Sequence, residues 1–188
     1  MYTRSRSRRR RPPASFLVCL GFVLTCTVWL GGSERVRKPD PWPRVFIKDA
    51  FTRAAVEWAL TGAAAWLANE ECRGVLTEFR DEEGHPLAER LDAHRIDARG
   101  YLALILFRDG SGAKACADDL TFAVTTPLGR VVYVCGRNFE RAWRASARRG
   151  QAIVIHEMLH TLGLGENPPP SDAITQRILA RCDKFGAR

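Results

Sequence analysis

Two histidines and a glutamate lie close together in the sequence and could bind and use a metal ion. The segment His156-Glu157-Met158-Leu159-His160 contains two of the four histidines in the chain. On a helix, residues four apart lie about 40° apart around the axis and one turn apart along it, so both imidazoles can reach the same ion. Neutral imidazoles are common zinc ligands and leave the ion strongly Lewis acidic. We therefore predict that His156 and His160 bind one zinc ion.

Glu157 is the candidate catalytic residue of this segment. It lies about 100° around the helix from His156, where it can reach a water on the ion without becoming a ligand. Zinc lowers the pKa of such a water to about 7, so a nearby carboxylate can accept its proton as it attacks a carbonyl. The neighbouring residues are uncharged, as a buried active-site helix requires; they are Ile153, Val154, Ile155, Met158, Leu159, Thr161 and Leu162.

The sequence from His156 to Glu166, H-E-M-L-H-T-L-G-L-G-E, resembles the zincin metallopeptidases. The closest pattern is that of the metzincins, H-E-x-x-H-x-x-G-x-x-H, in which the glycine lets the chain leave the helix and turn back to the metal. Gly163 occupies the glycine position, and Glu166 stands where metzincins have their third histidine. The resemblance implies that Glu166 is the third zinc ligand of a minimal or divergent zincin. No methionine follows Met158, so the methionine turn of metzincins has no counterpart here.

The resemblance also implies an activity, which is hydrolysis of peptide bonds in a peptide or protein substrate. Zincins often stabilise the oxyanion with a tyrosine or histidine, and Tyr133, on a predicted strand before the active helix, is the candidate here. Two alternatives share the same residues. One is a zinc-dependent hydrolase of a non-peptide amide or ester, and the other is a non-catalytic secreted metal-binding domain.

The N-terminus predicts export. Six arginines precede an apolar run at residues 14–30, which is followed by Gly31, Gly32 and Ser33. This order is typical of a signal peptide, or of a signal anchor that contacts the membrane if it is not cleaved, so residues 1–32 are assigned to it. The positive charges before the run place the rest of the chain outside the cytoplasm.

The net charge of +8 does not indicate nucleic-acid binding. The six N-terminal arginines account for most of it, and without them 23 basic residues face 21 acidic ones. A nearly neutral domain has no electrostatic footprint for nucleic acid. Residues 33–48, with Pro39, Pro41 and Pro43, are predicted to be a linker, and residues 49–188 to be the catalytic domain. No feature of the sequence predicts an oligomeric state.

Cysteine positions agree with an oxidising compartment. Cys72, Cys116, Cys135 and Cys182 lie after the apolar run and could form two disulfides in any of three pairings. Cys116 and Cys135 flank a predicted strand-turn-strand segment, while Cys72 and Cys182 each end a predicted helix. We therefore expect the pairs 116–135 and 72–182. A second zinc site is disfavoured because there is no C-x-x-C spacing.

Hydrophobic periodicity and breakers predict an α+β domain with a short mixed sheet, in which helices precede and follow the strands. In the last predicted helix, capped by Ser171, the apolar residues Ile174, Ile178, Leu179 and Cys182 share one face. The predicted helices cover residues 49–71, 87–94, 138–149 and 151–162 and the segment after Ser171. The predicted strands cover residues 75–79, 101–107, 121–126 and 130–135.

Overall fold

The computed structural model describes residues 44–185 of the chain. The predicted signal or anchor segment, residues 1–32, and residues 33–43 of the predicted linker lie outside the described part. Within residues 44–185, none of the helices is both long enough and apolar enough to cross a membrane.

The described residues form eight α-helices and four strands, which confirms the predicted α+β class. The helices are α1 (Ala50–Leu67), α2 (Glu70–Arg73), α3 (Val75–Glu78), α4 (Leu87–Ala93), α5 (Ala98–Leu102), α6 (Gly136–Ala145), α7 (Ala147–Thr161) and α8 (Ser171–Cys182). The strands are β1 (Arg44–Phe46), β2 (Leu106–Asp109), β3 (Ala123–Val124) and β4 (Val131–Val134). Two short 3-10 helices, Lys114–Ala117 and Asp183–Phe185, complete the described elements.

The four strands form one mixed sheet in the order β1-β2-β4-β3. β2 lies parallel to both β1 and β4, whereas β3 pairs antiparallel with β4 through Ala123 opposite Val134. β1 falls inside the predicted linker, residues 33–48, so residues 44–46 of that segment belong to the sheet. β3 is an edge strand, and it contacts α7.

The core forms where α1, α6 and α7 pack against one another beside the sheet. α1 begins at Asp49, whose carboxylate accepts a hydrogen bond from the backbone N–H of Thr52 at 2.8 Å and so caps the helix. Alanines at 55, 59 and 63 are buried, and their small side chains let neighbouring helices approach closely. The fully buried Trp66 and Phe107 fill much of the remaining space.

Both predicted disulfides are present. Cys72 of α2 pairs with Cys182 of α8, and Cys116 pairs with Cys135. The first bridge joins the final helix to a segment 110 residues earlier in the chain. Two bridges are compatible with an oxidising, exported environment.

The predicted strand at residues 75–79 is wrong, because Val75–Glu78 forms α3. Val75 and Leu76 are adjacent and both buried, which suits a helix packed on two neighbours better than an alternating strand. The Thr77 hydroxyl donates to the Gly74 carbonyl at 2.8 Å, and Glu78 forms ion pairs with arginines of α8. Local hydrogen bonds and contacts with α8 therefore determine the conformation of this segment.

The predicted strand at residues 101–107 is only partly correct. Asp97 caps α5 by accepting from the Gly100 N–H at 2.6 Å, so Tyr101 and Leu102 are helical and β2 begins at Leu106. The predicted strand at 121–126 is also shorter, since only Ala123 and Val124 pair with β4. Short apolar runs are ambiguous between strand and buried helix, which explains both differences.

Candidate metal centre

Three residues of the predicted zinc site, His156, Glu157 and His160, lie on α7, and all ten residues from Ala152 to Thr161 are buried. The helix begins at Ala147, four residues earlier than predicted, because Ser146 ends α6 and caps α7 through its hydroxyl. Gly150 therefore lies inside the helix, where a Cβ would come within 2.9 Å of the Trp143 side chain. This close approach of α6 and α7 positions the helix that carries the candidate ligands.

The two imidazoles converge as the spacing predicts. Nε2 of His156 lies 2.9 Å from Nε2 of His160, and each Nδ1 is engaged elsewhere. Nδ1 of His160 donates to the Leu164 carbonyl at 2.7 Å, which places the proton on Nδ1 and leaves a lone pair on Nε2. Nδ1 of His156 lies 2.9 Å from the hydroxyl of Thr175 on α8. Outer partners of this kind orient metal-binding imidazoles.

The surroundings favour the neutral imidazole that a metal requires. Burial, together with the neighbouring His160, lowers the pKa of His156 to about 3. His156 is consequently uncharged near pH 7, so one of its ring nitrogens carries a lone pair that can bind an ion.

The chain after α7 brings a third candidate ligand to the same place. Gly163 has a φ of 109°, a conformation that other residues rarely adopt, and its N–H donates to the His160 carbonyl at 2.9 Å. The turn carries Glu166 back toward the helix. One ligand atom from each of His156, His160 and Glu166 lies within 4.8 Å of the others. The three predicted ligands are therefore together in the structure, with the histidines buried and Glu166 exposed.

Glu157 is buried beside this group with an unsatisfied oxygen. Its Oε2 has no hydrogen-bond partner among the described residues, and only 6% of the residue is exposed. Burial, and to a lesser extent the charge of Glu166, raises the pKa of Glu157 to about 8. A buried polar atom without a partner is costly, and it is accounted for if this oxygen binds a water or a substrate.

These residues open onto a cleft of about 1510 Å³. The histidines, Glu157 and Glu166 contribute to its lining, as do Phe122, the edge strand β3, and the first turns of α7 and α8. The candidate metal ligands are therefore accessible from this cleft.

Tyr133 is not part of this arrangement. It lies on β4, is 42% exposed, and is not among the residues that line the cleft. Side chains alternate across a strand, and the neighbouring Val132 and Val134 are the residues of β4 that face the core. The prediction of Tyr133 as an oxyanion residue is therefore not supported.

Two residues that support α7 were not predicted from the sequence. Thr175 contacts His156 from α8, and the hydroxyl of Tyr101 donates to the Thr161 carbonyl at the end of α7 at 2.9 Å. Both contacts cross between elements that are distant in the chain. A serine or threonine on the buried side of the last helix is the signal that could have indicated Thr175.

The donor set fits a zinc ion. Two imidazoles and one carboxylate are a known ligand set of catalytic zinc, which keeps its fourth position for water. Comparison of the sequence with protein-family models finds no match, and searches of curated proteins and of solved structures find no match either.

Proposed function

We propose that the protein is an exported zinc metallopeptidase of a divergent zincin type. The observation that carries the proposal is the convergence of the His156 and His160 Nε2 atoms, next to a buried Glu157 oxygen that has no partner. His156, His160 and Glu166 would hold the ion. When bound, zinc supplies Lewis acidity, which polarises a carbonyl and lowers the pKa of water to about 7.

The residues of the chain account for the remaining steps. Glu157 removes a proton from the attacking water through Oε2 and later delivers a proton to the amine leaving group. Its raised pKa of about 8 suits the second role, because the carboxyl can hold the proton for the amine near neutral pH. Thr175 and the Leu164 carbonyl keep the two imidazoles oriented during the reaction.

The test separates metal binding from chemistry. We expect the purified domain to contain one zinc per chain and to cleave a casein-type substrate. Glu157→Gln should keep the zinc and lose the cleavage, whereas His160→Ala should lose both. Glu57→Gln, an exposed substitution on α1, is the matched control and should change neither.

Other outcomes would identify the alternatives. Full activity in Glu157→Gln would refute the assigned base. If zinc binds but only a non-peptide amide or ester is hydrolysed, the substrate class is wrong. If no stoichiometric zinc binds, a non-catalytic domain is the better description. Losing a residue that only orients a ligand typically weakens metal binding about 10- to 100-fold. Glu166→Ala removes a ligand itself, so it should weaken zinc binding by more than this.

A further inference from the structure

Arg149 lies on the same face of α7 as the metal-binding histidines. Residues at positions 149, 153, 156 and 160 fall within about 60° of one another around a helix. Arg149, Ile153, His156 and His160 all line the cleft, in agreement with this spacing. Arg149 is nine residues before the midpoint of the two histidines, a distance of about 13.5 Å along the axis.

The guanidinium of Arg149 is held over an aromatic ring. Its Cζ lies 5.0 Å from the centre of the Phe122 ring, a cation–π contact. The segment that carries Phe122 is itself fixed, because the Asn138 side chain donates to the carbonyls of Asp118 and Thr121 at 2.8 Å each. The Arg149 guanidinium therefore has a defined place in the cleft.

Arg149 forms no ion pair within residues 44–185. Its neighbour Arg148 differs, since its Nε lies 2.9 Å from a carboxylate oxygen of Asp183. Both arginines occupy the first turn of α7, where the helix dipole disfavours positive charge. Helix stability therefore does not account for Arg149.

Five acidic residues line the cleft; Glu157 is buried next to the two histidines, and the other four lie beside other groups. Asp118 accepts from the Leu120 N–H and the Thr121 hydroxyl, and Asp172 accepts from the N–H of the residue that follows it. Asp183 binds Arg148, and Glu166 lies with the two histidines. The five donors of Arg149 are thus available for a carboxylate of a ligand in the cleft.

We propose that Arg149 makes the cleft select substrates with a carboxylate about three or four residues from the scissile bond. This inference rests on the proposed peptidase function. An extended peptide spans about 3.4 Å per residue, so about four residues cover the distance along α7 between Arg149 and the histidines. The carboxylate comes from an acidic side chain or from the C-terminus of the substrate.

The test uses quenched fluorescent peptides that differ only in having Glu or Gln at one position, two to five residues from the scissile bond on either side. One set is amidated at its C-terminus and a second ends in a free carboxylate. We expect the kcat/KM ratio of Glu to Gln peptide to be about fivefold at one position, the size of a partly exposed ion pair, and to fall at higher salt. Faster cleavage of the free-carboxylate set than of the amidated set, with a Glu-to-Gln ratio of about one in both sets, would identify the terminal carboxylate.

Arg149→Gln should bring the ratio to about one, and Arg149→Glu should bring it below one. Arg144→Gln, an exposed arginine outside the cleft, should keep the wild-type ratio. The proposal is overturned if the wild type prefers neither a Glu peptide at any position nor the free-carboxylate set over the amidated set. It is also overturned if the preference survives Arg149→Gln and is lost in Lys114→Gln, which alters another cleft cation.

Failure of the peptidase proposal has a different signature. If no peptide is cleaved, the same labelled peptides are titrated into zinc-loaded wild type and Arg149→Gln, and binding is followed by fluorescence anisotropy. Tighter binding of the Glu peptide by the wild type alone would support the Arg149 site without catalysis. Equal binding of both peptides, or no binding, would refute it.

Discussion

The Cys72–Cys182 disulfide should stabilise this domain more than the Cys116–Cys135 disulfide. The bridges close segments with sequence separations of 110 and 19. Loop-closure entropy gives about 4.8 kcal/mol for the long loop and about 3.2 kcal/mol for the short one. Cys72 and Cys182 are also fully buried, so replacing both with alanine leaves unfilled volume in the core.

The measurement compares the two double alanine variants with the wild type by urea unfolding, followed by far-UV circular dichroism. A chelator is present in all samples, because zinc bound to the native state would add its own stabilisation. We expect Cys72→Ala/Cys182→Ala to lose at least about 1.5 kcal/mol more than Cys116→Ala/Cys135→Ala, as the difference in loop length requires.

The result that would refute this reasoning is an equal or larger loss in the Cys116–Cys135 variant. Such a result would mean that neither loop length nor core burial sets the contributions of these bridges. Zinc affinity is then measured on the native variants without chelator. It should be lower in Cys72→Ala/Cys182→Ala than in Cys116→Ala/Cys135→Ala, because Cys182 anchors the helix that carries Thr175.

Three other substitutions test individual contacts of the site and of the fold. Thr175→Val removes the hydroxyl partner of His156 at nearly constant volume, so zinc affinity measured against a competing chelator should fall about 10- to 100-fold, and Thr175→Ser should restore most of it. Gly163→Ala places a Cβ at a φ of 109° and 3.0 Å from a Leu128 methyl. The free energy of unfolding, measured by thermal unfolding, should therefore fall by more than about 1 kcal/mol. Burial alone would raise the pKa of Asp81, but hydrogen bonds from the His85 N–H, the Arg90 guanidinium and the Glu83 N–H bring it below its ordinary value of 3.8. The ionised Asp81 therefore stabilises the fold above that pH, and the stability difference between wild type and Asp81→Asn should shrink as the pH falls below it. A difference that is constant from pH 7 to pH 3 would contradict this assignment.

The parts of the site that depend on local geometry could be predicted from the sequence. A four-residue spacing on a helix places His156 and His160 on one face, whatever the rest of the fold does. A glycine before the last candidate ligand indicated a turn, and the structure has Gly163 at positive φ. The disulfide pairs were predictable because Cys116 and Cys135 flank a strand-turn-strand segment, while Cys72 and Cys182 each end a predicted helix.

The parts that depend on contacts between distant elements could not be predicted. The segment 75–79 has few residues and no strong periodicity, and contacts with α8 make it helical. Tyr133 belongs to a correctly predicted strand, but the sequence does not show which face of that strand meets the core. Thr175 lies 19 residues from His156 on a separate helix, so only the folded chain reveals their contact.

Local helix geometry and contacts between distant elements have different consequences for the candidate metal centre. The helix repeat alone brings His156 and His160 near each other, and this requires only that α7 forms. The orientation of each ring depends on Thr175 and on the Leu164 carbonyl, which are positioned by α8 and by the turn at Gly163. An isolated peptide containing α7 would therefore have the ligands without their orientation. High zinc affinity should consequently require the folded domain, with α8 held in place by its disulfide.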